Sequence, residues 1–166
     1  MNKIETIKDI TFHYTKENMV KDLIKLIPFV KNDYVLDAGS GKNKVWFNNI
    51  PQFCKKEEYE LEDGIDFIET LESKKFDWII GNPPFHLGWA FLDKASKLSN
   101  KGIAFLGNLN FLNSTVLPNR MELLRERGFY LNKIHIVQDK RWFGRYFFVI
   151  FTKNPEDFIS WNKQNY

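Results

Sequence analysis

The spacing of apolar residues changes between two periods along the chain. Residues 16–29 carry apolar side chains at intervals of three and four, which predicts an amphipathic helix that ends near Pro28. Comparable spacing predicts helices over residues 87–98 and 118–127, and Gly128 closes the second of these. Shorter stretches predict strands, at residues 34–37, 58–61, 76–80, 102–107, 133–137 and 147–152.

This order of elements predicts the fold class. Strands alternate with helices, which is typical of a parallel sheet covered by helices on both faces. The last two strand segments are close enough in sequence to form an antiparallel pair. We therefore expect an α/β fold: a Rossmann-like, doubly wound, mostly parallel sheet with a C-terminal antiparallel hairpin. Ligands bind such sheets at the carboxyl ends of the strands, where the irregular segments 37–41 and 81–85 are expected to lie side by side.

Length and composition restrict the class of protein. A chain of 166 residues with 43% hydrophobic residues suits a single domain over residues 1–166, without a separate target-recognition domain. The single cysteine, Cys54, excludes an internal disulfide framework and a Cys-rich zinc site. The three histidines form no metal-ligand pattern, so no metal is predicted. With no membrane-length apolar run and no signal pattern at the N-terminus, we expect a cytoplasmic protein without membrane association.

The net charge of +3 is too small to indicate a nucleic-acid partner by itself, but it is unevenly distributed. Residues 101–166 carry 10 Lys and Arg against 5 Asp and Glu. Such a basic region suits a phosphate-facing surface, and a solvated face with no polyanion partner is the competing interpretation. Within it, residues 140–145 combine cations with rings that can stack on bases, and an ordinary hairpin turn with an exposed aromatic is the alternative.

The glycine turn (residues 39–41) follows the first predicted strand and the acid Asp37. Glycines there let the backbone turn tightly and approach a ligand closely. The full dinucleotide and P-loop patterns are absent, so an acid ahead of Gly-x-Gly favours a cationic or hydroxyl-rich cofactor over a pyrophosphate. A plain turn between a strand and a helix uses the same residues and remains the alternative.

The diproline corner (residues 82–85, Asn-Pro-Pro-Phe) is a more specific signal. Its two prolines restrict two φ angles and remove two backbone donors, and they hold Asn82 out of the helical region. The corner then presents two acceptors, the Asn82 side-chain oxygen and the Pro83 carbonyl, which suit the two hydrogens of a substrate NH2 group. Phe85 adds a flat face for a planar ring. A rigid turn with no ligand is the competing interpretation.

Two segments together resemble a known family: Tyr-Val-Leu-Asp-Ala-Gly-Ser-Gly at residues 34–41 and Asp-Trp-Ile-Ile-Gly-Asn-Pro-Pro-Phe at residues 77–85. They resemble the S-adenosylmethionine-dependent amino-methyltransferases, especially the DNA N6-adenine methyltransferases with the gamma order of motifs. The resemblance covers about residues 10–110. It implies the class I methyltransferase type of fold, S-adenosyl-L-methionine as cofactor, and a catalytic loop formed by Asn82, Pro83, Pro84 and Phe85.

The same resemblance implies a set of cofactor contacts. Glu60 resembles the carboxylate that binds the ribose hydroxyls, and Asp66 and Phe67 resemble the residues at the adenine ring. Other carboxylates compete for these roles: Glu58, Glu62 and Asp63. The complete implied cofactor set is Tyr14, Thr15, Asp37, Ala38, Gly39, Gly41, Glu60, Asp66, Phe67 and Asn82.

These implications predict an enzyme that methylates the exocyclic N6 amino group of adenine in DNA, with RNA as the alternative. The base must be flipped out or single-stranded to reach such a loop. Catalysis would come from orienting the amine rather than from a strong base. Cys54 does not follow a proline in a catalytic loop, so a covalent cytosine mechanism is not supported. The expected substrate contacts are Phe85, Lys140, Arg141, Trp142, Phe143 and Arg145.

Two other functions stay open at this point. Enzymes that methylate the glutamine side-chain amide of proteins also use an Asn-Pro-Pro-aromatic loop, usually ending in Tyr, whereas Phe85 and the basic final third favour nucleic acid. A non-catalytic cofactor-binding subunit is the third interpretation, and the intact diproline corner argues against it. Because little sequence follows the catalytic half, we do not expect one chain to recognise a specific sequence. A loosely selective enzyme, a homodimer or partner subunit that supplies target recognition, and a small non-duplex substrate are the alternatives.

Overall fold

The computed structural model describes residues 15–139, 144–156 and 159–160. These residues contain a six-stranded sheet in the order β2-β1-β3-β4-β6-β5. Strands β1 to β4 pair in parallel, whereas β6 is antiparallel to both β4 and β5. The strands are β1 (Tyr34–Ala38), β2 (Lys55–Tyr59), β3 (Phe76–Gly81), β4 (Ser99–Asn108), β5 (Tyr130–Val137) and β6 (Tyr146–Thr152). The predicted fold class, with its C-terminal antiparallel hairpin, is confirmed.

Helices connect the strands and cover the sheet. They are α1 (Glu17–Ile24), α2 (Val45–Asn49), α3 (Gly88–Leu98), α4 (Leu109–Thr115) and α5 (Pro118–Glu126), with short 3-10 turns at Leu61–Asp63 and Phe85–Leu87. The sequence pattern predicted α1, α3 and α5. It missed α2 and α4 because five and seven residues are too few to display a helical period. None of the described helices is long and apolar enough to cross a membrane.

Both faces of the sheet are buried. Successive residues of a strand point to opposite faces, so Leu36 joins one apolar cluster and Val35 joins the other. Helix α1 covers the Val35 cluster and helix α3 covers the Leu36 cluster. This arrangement explains why β1 and β3 read as continuous apolar runs rather than alternating ones.

Strand β2 lies at an edge of the sheet and differs from its prediction. We expected residues 58–61, but the strand is Lys55–Tyr59 and residues Leu61–Asp63 form a 3-10 turn. Its sequence, Lys-Lys-Glu-Glu-Tyr, is mostly charged and has no apolar period. The parallel register with β1, from Tyr34 opposite Lys55 to Ala38 opposite Tyr59, sets its bounds instead.

The packing of β1 against β3 places the two irregular segments side by side. Asp37 is in register with Ile80, so both strands end at the same edge of the sheet. At this junction a Cβ on Gly81 would lie 2.9 Å from the Ala38 carbonyl oxygen, and its φ is 144°. Only glycine permits that approach without displacement of the backbone. Strand β6 begins at the same edge, because Tyr146 is opposite Asn108.

Candidate functional site

A cavity of about 480 Å³ opens at the carboxyl edge of the parallel strands. The glycine turn and the diproline corner both line it, together with residues that follow β2. Its size falls within the range of cofactor and small-ligand sites, roughly 300–1,000 Å³. The tertiary structure therefore brings together two segments that are about forty positions apart in the sequence.

Hydrogen bonds from the end of β2 hold the glycine turn. The backbone nitrogens of Gly39 and Ser40 both donate to the Tyr59 carbonyl, at 2.9 and 3.2 Å. The Gly41 nitrogen donates to a carboxylate oxygen of Glu60 at 2.6 Å. Gly39 and Gly41 have φ values of 78° and 66°, a region that favours glycine. The turn thus exposes backbone rather than side chains to the cavity.

Asp37 and Ala38 lie behind the glycine turn rather than in the cavity wall. Both are fully buried. One Asp37 carboxylate oxygen accepts the backbone N–H of Phe47 at 2.9 Å. Burial raises the pKa of the Asp37 carboxyl to about 8, and the bond from Phe47 opposes that shift. At neutral pH this carboxyl is therefore mostly protonated. Direct contact between either residue and a cofactor stays a prediction.

The structure separates the four competing carboxylates. Glu60 and Glu62 line the cavity, whereas Glu58 and Asp63 do not. Those two instead lie near the ammonium group of Lys44, outside the cavity wall. Glu60 is half-buried and already bonded to the glycine turn. It is thus the best placed of the four to hold hydroxyl groups inside the cavity.

Residues 65–67 form the far wall of the cavity. The Phe67 ring is buried and lies 5.1 Å from the Phe91 ring, and both line the cavity. Asp66 is exposed, and its side chain accepts the backbone N–H of Ile68 at 2.9 Å. The sequence analysis did not identify Leu61 or Ile65, two exposed apolar side chains that also line this wall. Their surface exposure gave them no core-like period.

The diproline corner is tied to the N-terminal part of the described chain. The Asn82 side-chain nitrogen donates to the Thr15 hydroxyl at 3.2 Å, and Thr15 is 8% exposed. The Pro84 carbonyl accepts the backbone N–H of Leu87 at 2.8 Å, which closes the 3-10 turn. Both Thr15 and Asn82 line the cavity with Pro83 and Pro84. Two segments expected from sequence at the cofactor site are therefore in direct contact.

Phe85 connects the diproline corner to β6. Its half-buried ring packs against both apolar clusters and lies 5.6 Å from the Tyr146 ring, tilted by 55°. Burial raises the pKa of the Tyr146 hydroxyl, and the nearby Asp139 carboxylate adds to the shift. Tyr146 was missed because the predicted strand began one residue later. It supports the ring that we expect to face a substrate base.

The remaining predicted site residues fall either outside the described residues or outside the cavity wall. Tyr14, Lys140, Arg141, Trp142 and Phe143 lie outside the described residues. Arg145 is exposed and does not line the cavity.

Val137 is opposite Tyr146 in the register of β5 and β6. Both described ends of the connection between these strands therefore lie at the cavity edge of the sheet. Within the described part of the chain, no group of three or more His, Cys, Asp or Glu side chains could hold a metal ion.

The chain matches no protein-family model and no curated protein, but many solved structures share its fold. A putative class I S-adenosylmethionine-dependent methyltransferase from Listeria monocytogenes aligns over 98% of this chain and 69% of its own length, with a TM-score of 0.65 and 12% identity. PH1948 from Pyrococcus horikoshii, a putative RNA methyltransferase, aligns over 84% of both chains, with a TM-score of 0.58 and 18% identity.

TrmN from Thermus thermophilus aligns over 84% of this chain, with a TM-score of 0.59 and 19% identity. The present chain spans 49% of the length of TrmN. These similarities establish the class I methyltransferase fold for the described sheet and helices.

Proposed function

We propose that this protein is an S-adenosylmethionine-dependent methyltransferase that acts on the exocyclic N6 amino group of adenine in nucleic acid, with DNA as the first substrate to test. One observation carries the proposal: the diproline corner and the glycine turn line the same cavity. The class I fold supports methyl transfer, and the Asn-Pro-Pro-Phe sequence of the corner supports a conjugated NH2 group as the acceptor.

The residues of the cavity suit the cofactor. The glycine turn offers backbone at close range, Glu60 offers a carboxylate for hydroxyl groups, and apolar walls flank Asp66. Thr15, Gly39 and Gly41 would hold the amino-acid portion, Glu60 the ribose, and Asp66 with Phe67 the adenine ring. When bound, S-adenosyl-L-methionine supplies an electrophilic methyl group on a sulfonium.

The diproline corner would orient the target amine. The lone pair of an exocyclic nitrogen is delocalised into its ring, so the nitrogen is a weak nucleophile. Acceptors at the Asn82 side chain and the Pro83 carbonyl would hold its two hydrogens and favour a pyramidal nitrogen. The bond from the Asn82 nitrogen to Thr15 distinguishes the two ends of the amide, which sets the position of its oxygen. The Pro84 carbonyl is already used by the turn.

Phe85 would stack on the target base, which must leave a duplex or start single-stranded. Its ring is supported from behind by Tyr146. The basic final third of the chain supports a polyanionic substrate. One matched structure is a putative RNA methyltransferase, so RNA is tested in parallel with DNA.

The test is incorporation of labelled methyl groups into single-stranded DNA, duplex DNA, RNA and a glutamine-containing protein, followed by identification of the product by mass spectrometry. We expect N6-methyladenine, with single strands methylated faster than duplexes. Asn82→Ala should lower kcat by about 10²-fold or more, a larger change than the weaker cofactor binding expected in calorimetry from loss of the bond to Thr15.

Asn100→Ala provides a matched control, since Asn100 is exposed at the start of β4, on the opposite edge of the sheet. Full activity in Asn82→Ala would overturn the amine-orienting role. If only the protein substrate is labelled, the methyl acceptor is a glutamine side-chain amide and not adenine. If the protein does not bind S-adenosyl-L-methionine, the enzyme assignment is overturned.

A further inference from the structure

An arginine stacks on a tryptophan that follows the diproline corner by four positions in the chain. The Arg120 guanidinium carbon lies 4.8 Å from the centre of the Trp89 ring. The same guanidinium donates a hydrogen bond to the Ser114 carbonyl. Both side chains are half-buried. Stacking and a carbonyl bond together restrict the orientation of the guanidinium plane, so its position is largely set before any ligand arrives.

This pair is attached to elements that adjoin the cavity, although neither residue lines it. Trp89 is the second residue of α3, and it follows directly on the Phe85–Leu87 turn that lines the cavity. Ser114 belongs to α4, which contacts both that turn and α3.

The contact between α4 and α3 is tight. A Cβ on Gly88 would lie 2.3 Å from the Phe111 ring of α4, and a Cβ on Gly107 would lie 2.2 Å from it. Helix α4 therefore packs closely against the start of α3 and the end of β4. The Arg120 guanidinium is bonded to α4, which also contacts the Phe85–Leu87 turn.

Arg127 shows what a structural arginine looks like in the same molecule. Its guanidinium contacts the Asp93 carboxylate at 2.8 Å and the Ser96 hydroxyl at 2.6 Å. Among the described residues, Arg120 has no carboxylate within ion-pair distance. One of its N–H groups donates to the Ser114 carbonyl, and a guanidinium has five N–H donors in total. Arg120 thus keeps donors in a fork geometry that suits an external anion.

We propose that Arg120, braced by Trp89, binds a backbone phosphate of the nucleic-acid strand next to the target base. The inference rests on the proposed function, which brings a polyanionic strand to this face. A planar fork of N–H donors matches a phosphodiester, and phosphate contacts set the position of a strand relative to an active site. A base that leaves its stack needs such an anchor on the flanking strand, since stacking no longer holds it in place.

The experiment measures binding of a fluorescently labelled single-stranded DNA oligonucleotide by anisotropy at several salt concentrations. Loss of one phosphate contact should reduce the slope of log K against log salt by about 0.7 in Arg120→Gln. Because a hydrogen bond to a charged group is lost, KM for the oligonucleotide should rise about tenfold, with kcat within about twofold of wild type. Arg120→Lys should keep the salt slope but bind more weakly, because an ammonium can neither stack flat nor present a fork.

Lys25→Gln is the matched control, since it removes one positive charge from an exposed residue at the far end of α1. An unchanged salt slope in Arg120→Gln, or an equal change in Lys25→Gln, overturns the phosphate site. So does the absence of oligonucleotide binding by the wild type.

The proposed function fails separately, when wild type binds the oligonucleotide but incorporates no methyl into it. A reduced salt slope in Arg120→Gln would then still support a phosphate contact. Conversely, adenine methylation with an unchanged slope would leave the function standing without this site.

Discussion

The glycine turn and the diproline corner bound the same cavity, but they hold their shapes by different means. The turn depends on partners that are distant in sequence, because its three backbone nitrogens are bonded to Tyr59 and Glu60. The corner depends on its own prolines and on a local bond from Leu87 to Pro84, and it has fewer distant contacts, a bond from Asn82 to Thr15 and the ring contact with Tyr146. The glycine-turn side of the cavity is therefore sensitive to the packing of the sheet. The diproline side is stiffened mainly by local covalent geometry.

The largest effect should appear beneath the glycine turn, at Asp37. Its folded pKa of about 8 lies above the ordinary value of 3.8, so the unfolded chain releases this proton first. The contribution of Asp37 to stability is therefore complete below about pH 4 and is lost as pH rises toward 8. Asp37→Asn has no carboxyl group at this position and should not lose stability in this way. As pH rises from 4 to 8, the unfolding free energy of the variant minus that of the wild type should therefore increase by up to about 1.4 kcal/mol per pH unit.

Denaturant unfolding of both proteins between pH 4 and 8 gives this difference directly, because the other titrating groups are common to both. A difference that stays constant with pH would show that Asp37 ionises normally in the folded protein. That result would place water or a charged partner beneath the turn.

The junction between the two loops should be the next most sensitive position. Gly81→Ala forces a Cβ to within 2.9 Å of the Ala38 carbonyl oxygen at a φ of 144°, so we expect a loss of about 3 kcal/mol in unfolding free energy. Gly144→Ala is the matched control, since its φ is also positive, at 91°, but no atom of the described residues lies within 4 Å of the added Cβ. Thermal unfolding should show a loss of only about 1 kcal/mol there. Equal losses would refute the close approach of β1 and β3.

The smallest expected effect is at Gly41, where a comparison with Gly64 distinguishes backbone strain from loss of ligand contact. Gly41 and Gly64 have φ values of 66° and 84°, and at either position an added Cβ meets no atom of the described chain within 4 Å. Only Gly41 lines the cavity. Both alanine variants should lose about 1 kcal/mol of stability, whereas only Gly41→Ala should weaken S-adenosyl-L-methionine binding, by about tenfold in calorimetry. Equal affinities would mean that the glycine turn does not contact the cofactor.

Most of the fold could be predicted because β1, β3 and β4 are buried on both faces and appear as apolar runs in the sequence. The bounds of β2 could not be predicted, because this edge strand of mostly charged residues takes its register from the neighbouring β1. In the site, both loops were identified from local composition. The resemblance already indicated Glu60, and the cavity wall adds that Glu60 and Glu62 line it whereas Glu58 and Asp63 do not, a separation that acids within a few positions of each other do not show in sequence.

Features that act over a few bonds follow from the amino-acid sequence: two prolines that stiffen a corner, glycines that permit positive φ, and apolar runs that form buried strands. Tertiary structure alone decided that Asp37 is buried behind the glycine turn, that Tyr146 supports Phe85, and that Arg120 lies on Trp89. These two kinds of feature differ in the distance along the chain over which the underlying interactions act. Backbone preferences depend on neighbouring residues, whereas burial, stacking and hydrogen bonding join residues that are tens of positions apart.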